Sequence, residues 1–135
     1  MIKLLIGVKG TGKTKTLIDK ANEALGTSKG NVVCIEKGTE LRYDINYQVR
    51  LINTDEYYIE DASGLGGFVA GILAGNSDIT DLFIDSALKI AGRDVAGFDA
   101  FLNNLEKLTK GADINILMTV SLPAEEATET MKKFL

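Results

Sequence analysis

At 135 residues, with 45% apolar and 25% charged side chains, the chain is long enough for one domain and one sizeable core. Its net charge of −4 argues against a generic nucleic-acid binder, which carries a basic excess. Histidine is absent, which removes the commonest metal ligand and general base, and with them a zinc site or a Ser-His-Asp triad.

Met1 to Val8 is an apolar run with one lysine and reads as a buried strand. It flows straight into glycines without a small-residue cleavage site, so it is not read as a signal peptide. Leu17, Ile18, Ala21, Ala24 and Leu25 fall on one face at helical spacing, which predicts a helix over 13–25 with Gly26 as its stop. Asn31 to Glu36 is β-branched and continuous, a second buried strand. It holds the single cysteine, Cys34, which reads as a small buried hydrophobe. No disulfide can form within the chain, which fits a reducing, cytoplasmic setting. Residues 41–47 and 48–53 read as a hairpin or an edge strand. Tyr43, Tyr47, Tyr57 and Tyr58 gather there and are expected to pack. Residues 65–74 form a helix candidate, with Gly67, Gly71 and Gly75 on one smooth face. Tight packing on the sheet is the expectation for that face, mobility the alternative. The apolar stretch 68–74 is far too short to cross a membrane.

Asp81 to Asp85 reads as a third buried strand. Asp94 caps a predicted helix over 95–109, in which Val95, Phe98, Leu102, Leu105 and Leu108 recur every three or four residues and Gly111 stops it. Arg93, beside the cap, is expected in solvent. Ile114 to Val120 is a fourth strong strand. Pro123 begins a last helix, with Glu125 and Glu126 in its first turn and Lys132 and Lys133 in its last. Such alternation predicts right-handed crossovers and a three-layer α/β/α domain over 1–135, around a mostly parallel sheet of about five strands.

Gly7-Val8-Lys9-Gly10-Thr11-Gly12-Lys13-Thr14 satisfies G-x-x-x-x-G-K-[ST] at every fixed position. Gly7 and Gly12 admit turns that a side chain would block. The loop's amides can then converge on one anion at the positive end of the following helix. Lys13 can reach β- and γ-phosphates, and the Thr14 hydroxyl can ligate Mg²⁺. Lys9 and Lys15 add positive charge to the same stretch. By these residues the chain resembles the P-loop NTPase superfamily. The resemblance implies ATP or GTP with Mg²⁺ as ligands, and the lack of an Asn-Lys-x-Asp motif favours ATP.

Leu82-Phe83-Ile84-Asp85 fits the strand-end acid that such proteins use to hold the water shell of magnesium. Serine, not glutamate, follows it. In this respect Asp85-Ser86-Ala87-Leu88 resembles the RecA-like ATPases. That branch implies a catalytic glutamate at the end of the strand after the loop's helix, where Glu36 stands, and a polar sensor after the fourth strand, where Ser121 stands. Asp55 and Glu56 are the reserve carboxylates. The resemblance makes Lys13 and Glu36 the catalytic candidates and Thr14 and Asp85 the metal ligands. A slow ATPase fits these residues, completed in some settings by a homo-oligomer. So does a nucleotide-binding switch without turnover. A small-molecule kinase fits less well, because Arg42, Arg50 and Arg93 are the only arginines. The chain has little room for DNA-binding segments.

Overall fold

In the computed structural model, which describes residues 1–135, five strands pair in parallel throughout. They are β1 (Ile2–Gly7), β2 (Asn31–Glu36), β3 (Arg50–Asn53), β4 (Ile79–Ile84) and β5 (Asn115–Ser121), in the spatial order β1-β5-β4-β2-β3. The helices are α1 (Lys13–Thr27), α2 (Ala62–Gly75), α3 (Ala87–Ile90), α4 (Val95–Leu108) and α5 (Glu129–Lys132). The chain is thus of the α/β class, with an all-parallel sheet. No helix is long and apolar enough to cross a membrane.

Because side chains alternate along a strand, each central strand feeds both faces of the sheet. Val33 and Ile35 of β2, Leu82 and Ile84 of β4, and Ile116, Met118 and Val120 of β5 join the larger core with α2, α4 and α5. Val32 and Cys34 of β2 and Phe83 of β4 face the other way, onto Leu17, Ala21 and Ala24 of α1. The crossovers therefore place α1 alone on one face, with the segment between β2 and β3, while the remaining helices cover the opposite face.

Aspartate caps fix two of the helices. The Asp61 carboxylate accepts the Gly64 N–H at 2.7 Å and starts α2, and that of Asp94 accepts the Gly97 N–H at 3.0 Å and starts α4. The two helices approach closely there: a Cβ at Gly97 would lie 3.0 Å from the Ala62 Cβ.

Several expectations are corrected. α1 runs on through Gly26 to Thr27, and the Ser28 N–H closes it on the Ala24 carbonyl at 2.7 Å. The turn into β2 instead depends on Gly30, where a Cβ would lie 2.0 Å from the Asp78 carbonyl oxygen. Of the two readings of 41–53, the edge strand holds and the hairpin does not. Residues Glu40–Tyr43 make a 3-10 turn, and β3 is an edge strand parallel to β2. The face of Gly67, Gly71 and Gly75 does not pack on the sheet; a Cβ at any of the three would meet open space, because Leu65 and Val69 take the buried side of α2. Tyr43, Tyr47 and Tyr58 are exposed, and only Tyr57 finds a ring partner, Phe68 at 5.5 Å. The last predicted helix is two pieces, a 3-10 turn at Ala124–Glu126 and α5. Ala127 between them is extended and buried, and Thr128 caps α5 by accepting the Met131 N–H.

Candidate functional site

The glycine loop leaves the carboxyl end of β1 and turns directly into α1. Gly10 and Gly12 have φ of +89° and +83°, a region that side-chain-bearing residues rarely adopt. A Cβ at Gly7 would come within 2.8 Å of the Thr11 hydroxyl. That hydroxyl donates to the Val8 carbonyl at 2.8 Å, and the Lys13 amine donates to the same oxygen at 3.0 Å, so the lysine is folded over its own loop. No side chain caps α1, and its first turn holds no acid, which leaves its N-terminal amides and their positive field open to an anion. Lys15 pairs with Asp19 along the exposed flank of α1, and Lys9 is exposed.

The register of the sheet brings distant residues to this end. Gly7 is opposite Ser121, Ile84 opposite Met118, Ile35 opposite Ile84, and Glu36 opposite Asn53. One step beyond β4, the Asp85 N–H donates to the Ile35 carbonyl at 2.9 Å. By alternation, Thr119, Asp85 and Glu36 form a row on the face that α1 covers. The Thr14 hydroxyl donates to the Asp85 carboxylate at 3.1 Å. The Thr119 hydroxyl donates to the same carboxylate oxygen at 2.7 Å and accepts the Ser86 N–H at 2.7 Å. Ser86 itself has φ +56°, a left-handed turn that ends the strand directly behind Asp85.

Thr119 was not among the residues singled out from the sequence. Its signal is a hydroxyl inside the apolar run ILMTV, on the same alternation phase as Ser121. Ser121, two residues on, lies exposed at the rim, whereas Thr119 is buried and holds Asp85.

Glu36 is 3% exposed, and its Oε1 accepts the Leu41 N–H at 3.2 Å. Burial raises its pKa above the ordinary 4.5, the backbone N–H groups of Leu41 and Glu40 act against that rise, and the charges of Asp85 and Glu40 add to it. Cys34 behaves as the small buried hydrophobe expected. Its thiol is fully buried and pushed well up by that burial, then by Asp85 and Glu36. Of the reserve carboxylates, Asp55 is engaged by the Lys37 amine at 2.6 Å, and Glu56 is exposed.

The raised pKa of Glu36 has a sign. The folded chain holds the proton more tightly than the unfolded one, so this group's contribution to stability is greatest at low pH. It declines as pH rises from about 4.5 through the higher folded value. Glu36→Gln removes the cost of the buried charge. The stability of the variant relative to wild type is therefore expected to grow with pH across that window and then level off. Urea midpoints of both proteins over a pH series check this, and a flat or falling difference would contradict it.

A magnesium ion suits this donor set. Thr14 and Asp85 offer hard oxygen ligands that already meet, and Mg²⁺ takes few protein ligands while keeping several waters. The chain has no cluster of three or more Cys, Asp or Glu side chains of the kind that would cage a softer or larger ion. A cavity of about 650 Å³ lies elsewhere, between α2 and α4, and neither the loop nor Asp85 lines it. In comparisons with known proteins, no family model matches this chain and no curated protein matches it.

Proposed function

We propose that this chain binds ATP with Mg²⁺ and hydrolyses it slowly, as a small P-loop ATPase of RecA-like type. The observation that carries the reading is the 3.1 Å hydrogen bond from Thr14 to Asp85, 71 residues apart, at the mouth of a glycine loop with two left-handed glycines. A nucleotide phosphate chain fits against the loop amides and the uncapped start of α1. Thr14, and Asp85 through water, would hold the Mg²⁺, which when bound neutralises phosphate charge. Lys13 exchanges its bond to the Val8 carbonyl for phosphate oxygens, where positioning and electrostatics do most of the catalysis. Thr119 keeps Asp85 aimed. Glu36 orients the attacking water and receives its proton; its raised pKa brings it closer to the operating pH, as suits a general base.

A second reading, a nucleotide-binding switch without turnover, is favoured by Ser86 standing after Asp85 and by the tie from Leu41 to Glu36. Titration with ATP and Mg²⁺, followed by an assay of phosphate release, separates the two. Lys13→Ala is expected to weaken ATP binding by about tenfold or more, the scale of losing a hydrogen bond to a charged group. Binding unchanged in that variant would overturn both readings, and tight binding without release would leave the switch.

A further inference from the structure

On the edge of the sheet opposite β1, one cavity sets cationic against acidic side chains. It runs along the edge strand β3, measures about 230 Å³, and is lined by Glu36, Thr39, Arg42, Arg50, Asn53 and Glu56 among others. Two of the chain's three arginines therefore share one small space. Neither is ion-paired; every salt bridge in the protein is made by a lysine. Arg42 spends one N–H on the Tyr43 hydroxyl at 2.8 Å and stands 4.8 Å over that ring. Arg50 spends one on the carbonyl of its own neighbour Leu51, at 3.4 Å. A guanidinium carries five N–H donors in a planar fork that matches carboxylate and phosphate oxygens, so most of that capacity is not taken by other groups of the protein. Both arginines also wall the adjoining cavity along 42–51, which no acid lines. The two arginines are thus the only charged groups on that adjoining cavity.

The same lining also carries the reverse chemistry. Glu36 is buried, with Oε1 given to Leu41, and Glu56 is exposed beside it. Asn53 spends its side-chain oxygen on the N–H groups of Gly38 and Asp55, so its amide N–H₂ remains the group it can offer.

We propose that this cavity is a second binding site, for a small organic anion whose carboxylate or phosphate group is held by Arg42 and Arg50 and whose far end carries a hydroxyl or amine that donates to Glu36 or Glu56. The volume equals roughly eight waters, below the range of ordinary drug-sized pockets, so a small metabolite fits and a second nucleotide does not. No residue of the glycine loop lines this site, and it shares Glu36 with the function proposed above.

Inorganic phosphate and, separately, malate are titrated into the ¹⁵N-labelled full chain while backbone amides are followed by NMR. Saturable shifts at Gly38 and at Arg50 to Asn53 are expected with at least one probe. Phosphate alone would mark a phosphate-ester ligand and malate alone a carboxylate. Affinity should fall by about tenfold or more in Arg42→Ala and in Arg50→Ala. Arg50→Lys, which keeps the charge and loses the fork, should fall between Arg50→Ala and wild type. No shift at these amides with either probe, or shifts that both alanine variants retain, would overturn the proposal. Shifts confined to Gly10 to Thr14 would do the same, while leaving the nucleotide reading intact. The same spectra therefore keep the two failures apart.

Discussion

Glu36→Gln is expected to bind ATP and Mg²⁺ much as wild type does and to release phosphate about a hundredfold or more slowly, the usual scale of a positioned general base. The amide keeps the size of the side chain and an oxygen for the Leu41 N–H, so the 3-10 turn at Glu40–Tyr43 stays in place. It lacks the basicity to take a proton from water. Single-turnover phosphate release at saturating ATP reads this directly. A rate equal to that of wild type would remove Glu36 from the chemistry and return attention to Glu56. The stability difference described above is the companion measurement, because it reports on the same carboxylate without nucleotide.

Phe98→Ala is expected to cost about 3–5 kcal/mol of folding stability, the range for truncating a large buried aromatic. Phe98 is fully buried on α4 and stacks on Phe101 with ring centroids 5.8 Å apart. It belongs to the core that joins α4 to β4 and β5, the strands that carry Asp85 and Thr119 to the site. Against the 5–15 kcal/mol that typically holds a domain together, such a loss is large. Urea or thermal unfolding measures it. A cost near that of a surface substitution, within about 0.5 kcal/mol, would mean that this core is not what holds the sheet to its helices.

What the sequence revealed, and what it hid, follows from the range of each interaction. β2, β4 and α4 could be read because their signals are local: NVVCIE and DLFID are continuous apolar runs, and Asp94 caps a helix whose apolar residues share one stripe. The final segment misled because its charges suit one helix at both ends. The break at Ala127 is imposed from outside: Ala127 and Met131 are buried in the main core, and the Thr128 hydroxyl donates to Asp99 of α4 at 2.8 Å. Spacing also told where Gly67, Gly71 and Gly75 align without telling which way they face. At the site, Gly7, Thr14, Asp85 and Glu36 were visible as motif and strand-end residues. Thr119 was not, since its role depends on Met118 lying opposite Ile84, a pairing between strands about thirty residues apart. The tie from Leu41 to Glu36 was hidden for the same reason that the 3-10 turn was: no periodic pattern announces a single turn.

β1 has one sheet neighbour, β5, and that neighbour lies more than a hundred residues further along the chain. Its Leu4 N–H is also taken by the Phe134 carbonyl, near the other end. During synthesis the glycine loop is thus made well before the strand that seats it. β2, β3 and β4 can pair as soon as they emerge, but β1 must wait for β5 to bridge the gap to β4. Closing so long a loop is the entropically slow step of this topology. A nascent chain that has not reached β5 carries the whole motif from Gly7 to Thr14 and has no sheet to hold it. Thr14 then has no Asp85 to meet in the arrangement that Thr119 maintains. Assembly of the site in this way waits on the pairing of β1 with β5.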